Sequence, residues 1–277
     1  MYKRITTIAG KTILNRLTDS SRVKQGKSRK KRQNPTPAAV AKVNENNQIR
    51  ELTAKLNDSF RPGDWWLTLS TEAGTSVEES MDRIYKLKRG LQRYCKRNDI
   101  PFKLVETLGI GKQSGKAHHH VVLNQEIPLE IVCRYWPEHL VFARPMTGWN
   151  YNRVAKYMIK NAKESKDKRG KCKKAFRCSR QVARPEQRME IMKRAPRAVD
   201  VEELKPRKGY YIDQDSIKVY EHPITGEICL EYIEVSLEPE PRLKRYGRGK
   251  RVAWDPLLPV DWGDQIELGE ILEGWTL

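Results

Sequence analysis

Long apolar runs are missing from this chain. No segment approaches the length needed to cross a bilayer, and no apolar stretch follows the opening Met1-Tyr2-Lys3-Arg4. We therefore expect no membrane partner, no secretory leader and a cytoplasmic protein. Cysteine is sparse and scattered: Cys95, Cys133, Cys172, Cys178 and Cys229 are odd in number, which argues against a disulfide framework. Cys172 and Cys178 lack a second pair at zinc-finger spacing and read as free thiols. A phosphate-cradling loop is lacking as well. Gly109-Ile110-Gly111-Lys112-Gln113-Ser114-Gly115-Lys116-Ala117 has the composition of one, but neither its spacing nor a Ser or Thr after the lysine.

Acidic residues are outnumbered, 35 against 54 Lys and Arg, for a formal charge of +19. The 26 residues after Arg251 carry six acids and no Lys or Arg, which leaves the first 251 residues at +25. Such an excess favours a polyanionic partner, most simply nucleic acid, through phosphate neutralisation and counterion release. With 277 residues, 38% of them hydrophobic, the chain can bury one good core, with room for a second small one.

Residues 1–35 are basic, with Arg22, Lys24, Lys27, Arg29, Lys30, Lys31 and Arg32 crowded together, and read as a flexible arm. Thr36 and Pro37 open a polar helix running to about Asn57, with Ile49, Leu52 and Leu56 on one stripe. Trp65 to Ser70 reads as a strand. Ser76 and Glu79 form a capping box before a helix reaching Lys96, with Met81, Ile84, Leu87, Leu91 and Tyr94 facing a core. Residues 102–108 and 117–123 read as a hairpin. Residues 127–147 resist assignment, with Tyr135, Trp136 and Phe142 as packing residues and His139 as a surface or packing histidine. Beyond 191 a small β appendage over 209–237 precedes the acidic tail. The order of elements predicts an α+β fold, an antiparallel sheet with helices packed on it. We divide it into an arm (1–35), a main domain (36–190) and an appendage with tail (191–277).

Three of the five histidines stand together as His118-His119-His120. Side chains alternate faces along a strand, so His118 and His120 share one face and His119 points the other way with Ala117, Val121 and Leu123. Hairpin pairing centred near Lys112 sets Glu106 opposite His118 or His120. A Glu with two His is a three-ligand site with open positions. Its mixed oxygen and imidazole set suits Mn or Mg, with Zn or Fe also compatible by ligand type.

The second chemical element is the helix 152–164, whose apolar face is Val154, Ala155, Met158, Ile159 and Ala162. Tyr157 falls opposite that face, flanked by Arg153 and Lys160. A phenol has a pKa near 10 and is a poor nucleophile unless a cation or metal stabilises the phenolate; Lys160, one turn on, offers that charge.

Together, His118-His119-His120 and Tyr157-Met158-Ile159-Lys160 resemble the HUH endonuclease superfamily, in the order found in rolling-circle replication initiators of Gram-positive plasmids and mobile elements or of single-stranded DNA phages. Asn57 to Ser70 resembles the first motif of those proteins, and Phe176-Arg177-Cys178-Ser179-Arg180 a Ser-Arg element after the tyrosine helix. The resemblance covers residues 36–190. His119 departs from it, since the family mostly has an apolar residue there.

The resemblance implies an HUH, ferredoxin-like or RRM-like core and a site-specific DNA nickase and strand transferase. Glu106, His118 and His120 would hold Mn or Mg, Tyr157 would attack the scissile phosphate, and Lys160 would position charge beside it. The product is a 5′-phosphotyrosine and a free 3′-OH. The implied partners are single-stranded DNA at a replication origin and a host helicase and polymerase, with no small-molecule substrate. From Lys163 to Arg184 ten Lys or Arg residues are interleaved with Phe176, which suits a phosphate-tracking loop. We expect DNA contacts from Lys112, Lys116, Arg153, Lys156, Lys174, Arg177, Ser179 and Arg180. A transposase of the same chemistry and a non-catalytic nucleic-acid-binding protein are the alternatives.

Overall fold

The computed structural model describes residues 2–19, 38–111, 114–165, 174–182, 185–192, 204–222, 226 and 228–238. All belong to the unit Met1–Pro241. Residues 20–35 of the expected arm, the acidic tail and Lys112 lie outside them.

The unit is α+β, built on two antiparallel sheets. Its strands are β1 (Tyr2–Ala9), β2 (Thr12–Asp19), β3 (Trp65–Ser70), β4 (Leu104–Ile110), β5 (Ala117–Leu123), β6 (Val141–Pro145), β7 (Arg177–Cys178), β8 (Glu186–Met192), β9 (Tyr210–Glu221) and β10 (Ile228–Ser236). The helices are α1 (Ala38–Ser59), α2 (Val77–Arg97), the short α3 (Leu129–Cys133) and α4 (Asn152–Glu164). No helix among the described residues is long and apolar enough to cross a membrane.

The first sheet runs β6-β3-β5-β4-β7, so β5, which carries the histidines, is its central strand. Both faces of β4 and β5 are buried, which is why each reads as a nearly continuous apolar run. α2 covers one face. Its capping box forms as expected, Glu79 N donating to Ser76 Oγ at 3.2 Å and Ser76 N to Glu79 Oε2 at 2.8 Å. Ile84, Leu87, Leu91 and Cys95 bury against Leu67, Leu69, Leu104, Val121 and Leu123. α1 and α4 cover the other face, where Leu52, Leu56, Val154, Ala155, Met158 and Ile159 close over Val105 and Val122. Across 127–147, Trp136 is buried and donates its indole N–H to Ser70 O at 2.7 Å, whereas Phe142 is exposed on β6 and is not a core residue.

The second sheet, β8-β1-β2-β10-β9, corrects the expected domain division. Residues 2–19 are not a flexible arm but a hairpin, and β2 pairs with β10 from Leu17↔Leu230 to Thr12↔Val235. Residues 2–19 and residues 186–236 therefore contribute to one sheet, and the expected appendage supplies two of its five strands, β9 and β10. β9 is one strand rather than two, with a register shift against β10 between Glu231 and Ile233.

α1 ties the two sheets together. At its C-terminal end Asn57 donates to Thr12 Oγ1 at 2.9 Å. Gly10 has φ +55°, and an added Cβ would sit 2.4 Å from Asn57 O, so only glycine fits this turn. Further along, Arg50 Nε donates to Glu231 Oε1 at 2.8 Å and Arg50 Nη2 to Tyr220 Oη at 2.9 Å. The Tyr220 hydroxyl in turn donates to Glu231 at 2.6 Å.

Candidate functional site: the histidine face of the first sheet

Directly opposed residues of an antiparallel pair share a face. β4 and β5 pair as Glu106↔Val121, Thr107↔His120, Leu108↔His119 and Gly109↔His118. His118 and His120 thus look out with Thr107 and Gly109 toward the α4 side. Glu106 looks the other way, with His119, toward α2. The expected Glu106, His118, His120 ligand set is corrected by this register. Six residues, 111–116, separate the last pair Ile110↔Ala117. An even-numbered connection of this kind pairs even-numbered residues with odd-numbered ones, so Glu106 falls behind the sheet.

There Glu106 is fully buried and paired. Lys88 from α2 donates to Oε2, Arg177 Nη2 lies 3.5 Å from Oε1, and His119 Nδ1 lies 3.4 Å from Oε1. His119 Nε2 is 2.9 Å from the Ser80 hydroxyl on α2. Burial, with Arg177 and Lys88 nearby, pushes the His119 pKa down to about 3. The ring is therefore neutral. With the proton on Nδ1, facing Glu106, Nε2 accepts from Ser80. His119 fills the place of an apolar packing residue with Nε2 bonded to Ser80, while Nδ1 meets Glu106 at 3.4 Å without a hydrogen bond among the described residues.

On the other face, His118 and His120 meet edge to face with ring centroids 4.9 Å apart. Burial lowers the pKa of both, that of His120 well below the usual histidine range, so both are neutral donors of a lone pair. His120 Nδ1 is 3.2 Å from Thr68 Oγ1 on β3. The tautomer that donates Nδ1–H to Thr68 leaves Nε2 as a bare lone pair, buried and without a hydrogen-bond partner among the described residues. His118 remains partly open to solvent. Its imidazole lies over Gly109, where an added Cβ would come 2.4 Å from His118 Nε2.

Tyr157 joins this face. Its ring meets that of His120 edge to face at 4.9 Å and that of Trp66 at 5.7 Å. The wheel puts Tyr157 off the apolar stripe, as expected, but it is half-buried rather than solvated. α4 packs its stripe on α1 and β4, so the helix flank carrying Tyr157 overhangs β5 and β3. Burial raises the Tyr157 pKa, offset in part by a hydrogen bond from the Asn161 side chain. Tyr151, the other tyrosine near this helix, is buried in the core at 2% exposure and has no route to a substrate.

Among the described residues no group of three His, Cys, Asp or Glu side chains is placed to hold a metal ion. The chemistry of the donors fits a divalent ion at His118 and His120 and does not fit Glu106 as its third ligand.

The remaining expected residues divide by location. Lys160 is exposed one turn beyond Tyr157, and Lys116, Lys174 and Arg180 are exposed. Arg153 is exposed and paired with Asp215. Lys156 is half-buried, its pKa lowered by burial and by Lys218 and Arg153. Two expected DNA contacts are engaged elsewhere. Arg177 reaches the α2 side, donating to Tyr85 Oη at 2.9 Å as well as meeting Glu106. Ser179 clamps β4, its hydroxyl accepting from Leu104 N at 2.9 Å and donating to Phe102 O at 2.8 Å.

The register also places Phe142 and Arg144 of β6 on the histidine face, opposite Thr68 and Trp66. Phe142 is 43% exposed, and the Arg144 guanidinium carbon sits 4.7 Å from its ring centroid. Sequence reasoning missed Thr68, Gly109 and this pair; strict alternation along β3 and β6 was the available signal. Comparison of the chain with family models, curated proteins and solved structures finds no match.

Proposed function

We propose that this chain is a rolling-circle replication initiator of the HUH endonuclease type, a nickase and strand transferase acting on single-stranded origin DNA. The observation that carries the reading is the meeting of His118, His120 and Tyr157 on one face of the central strand, with His120 and Tyr157 at 4.9 Å. Two neutral imidazoles and a phenol meet here at the rim of a core closed by Leu52, Leu56, Val105, Val122, Val154 and Met158.

His118 and His120 would hold a divalent ion, Mn or Mg, which when bound supplies Lewis-acid polarisation of the scissile phosphate. The chain's own residues do the rest. Thr68 fixes the His120 tautomer, and Gly109 makes room for His118. Trp66 and His120 hold the Tyr157 ring at the sheet. Tyr157 Oη forms the bond to phosphorus as the P–O3′ bond breaks; the phenol proton leaves and the departing 3′ oxygen is protonated to a hydroxyl. Lys160 supplies positive charge at the open edge of the site, where the raised Tyr157 pKa calls for it. A host helicase and polymerase complete the reaction sequence.

The test is incubation of the full chain with Mn and single-stranded DNA from its own replicon, read as a covalent protein–DNA adduct on a denaturing gel. We expect an adduct that Tyr157→Phe abolishes while DNA affinity stays within about twofold. An adduct that survives in Tyr157→Phe, or none on any segment, overturns the assignment. Glu106, committed to Lys88 and Arg177 behind the sheet, favours a second reading: a nucleic-acid-binding protein with no metal chemistry. That reading requires DNA binding with no ion-dependent cleavage.

A further inference from the structure

β6 is an edge strand of the first sheet, and its outward residues on the histidine side are Phe142 and Arg144. Phe142, Thr68, His120 and Thr107 stand in one row across β6, β3, β5 and β4, paired Thr68↔Phe142, Thr68↔His120 and Thr107↔His120. Two strand spacings separate Phe142 from His120, about 10 Å. Phe142 is the one aromatic side chain of this sheet that is exposed, at 43%, among the described residues. Arg144 brings its guanidinium over the ring, 4.7 Å from the centroid. An open π-face with a cation against it is the chemistry that holds an unpaired base and its phosphate.

We infer that Phe142 and Arg144 form a base-stacking platform for single-stranded DNA, set beside the histidine site. The inference rests on the proposed reading only in that single-stranded DNA crosses the histidine face. Phe142 stacks one base, and Arg144 meets the phosphate of that nucleotide. At about 3.4 Å per stacked nucleotide, the 10 Å separation puts this base within about three nucleotides of the phosphate held near His120. The platform takes any base, because every base offers a π-face. It requires an unpaired strand, because a duplex keeps its bases stacked on one another.

The experiment measures anisotropy of a fluorescein-labelled thirty-residue oligo-dT with the full chain across a salt series, beside the same strand paired with oligo-dA. Phe142→Ala weakens the single-stranded complex about tenfold, and Phe142→Trp restores it. The slope of log K against log salt stays unchanged in Phe142→Ala, since no phosphate contact is lost, and falls by about one charge in Arg144→Gln. Duplex affinity is unchanged in Phe142→Ala. Equal weakening on single strand and duplex, an unchanged single-strand affinity, or no rescue by Trp overturns the platform. Nicking is not needed for this readout. A protein that forms no adduct yet shows the Phe142 effect loses the nickase reading alone, and one that forms the Tyr157 adduct without the Phe142 effect loses the platform alone.

Discussion

The Ser80 hydroxyl lies 2.9 Å from His119 Nε2, at the start of a buried line that continues from His119 Nδ1 to Glu106 Oε1 at 3.4 Å. All three side chains are sealed from solvent, so no substrate reaches the serine. The line is a tie between α2 and β5, and it holds from behind the strand that presents His118 and His120 in front.

That tie has a pH dependence. The folded-state pKa of His119, about 3, lies below its usual 6.5, so as pH falls from 6.5 toward 3 the unfolded chain takes up a proton the folded chain refuses. Stability is therefore complete above 6.5 and drains through this window, by up to about 1.4 kcal/mol per pH unit. His118 and His120, also depressed, act in the same sense. Asp64 opposes them: burial raises it to about 6, so protonation between 6 and its usual 3.8 favours the folded chain. His119→Gln keeps a donor and an acceptor but does not titrate. Urea unfolding from pH 7 to 4 should show the stability gap between wild type and variant closing as the pH drops; parallel curves would contradict the assignment.

Gly109→Ala separates geometry from stability. The new Cβ meets the far end of the His118 side chain, which can swing toward solvent, so the melting temperature should change by only a few degrees. The imidazole is displaced all the same, and adduct formation should drop at least about tenfold. Gly10→Ala serves as the contrast, because its Cβ would strike the backbone at Asn57 with φ at +55°. There we expect a stability loss of about 1–3 kcal/mol with the site chemistry intact in the folded fraction.

Replacing Glu106 leaves Lys88 and Arg177 facing each other inside the protein without their shared carboxylate. Glu106→Ala should cost about 3–5 kcal/mol by denaturant unfolding. His120→Ala, which empties a buried position, should cost a smaller amount, about 1–3 kcal/mol, and abolish Mn binding in a titration calorimeter of the protein that remains folded. If Glu106→Ala removes Mn binding from protein that remains folded, the register-based exclusion of Glu106 as a ligand is wrong.

Removal of residues 204–238 tests the corrected domain boundary. An independent appendage would leave a soluble remainder. Loss of β9 and β10 instead strips β2 of its partner and Arg50 of its carboxylate, so we expect aggregation, or loss of amide protection throughout residues 2–19 in hydrogen exchange.

Much of the first sheet was legible. α2 announced itself by its capping box, α4 by five apolar residues at helical spacing, and β5 by its run from Ala117 to Leu123. The pairing of histidines with tyrosine came from the resemblance of the two motifs to the HUH endonucleases, not from those elements. The side of the sheet taken by Glu106 was not legible, because a one-residue difference in loop length exchanges the faces of a strand. A clue was present: Glu106 alternates with Leu104 and Leu108, and His119 with Val121 and Leu123, and matching these two stripes gives the observed register. The second sheet was illegible for a different reason. β1 and β2 stand just before the crowded basic run of residues 22–32, and their outer neighbours in the sheet lie far along the chain, Tyr2 pairing with Met192 and Thr12 with Val235.

That distant pairing sets the order in which the molecule can be assembled. The hairpin of residues 2–19 is made before the other described elements, yet the free edge of β2 stays uncovered until β10 is made. Throughout synthesis of the histidine sheet and the tyrosine helix, a bare strand edge is carried along by an incomplete chain. Long-range pairing of this kind is slow to form. Of the described strands the last one made is the one that covers β2, so a chain shortened before Ile228 ends with that edge open.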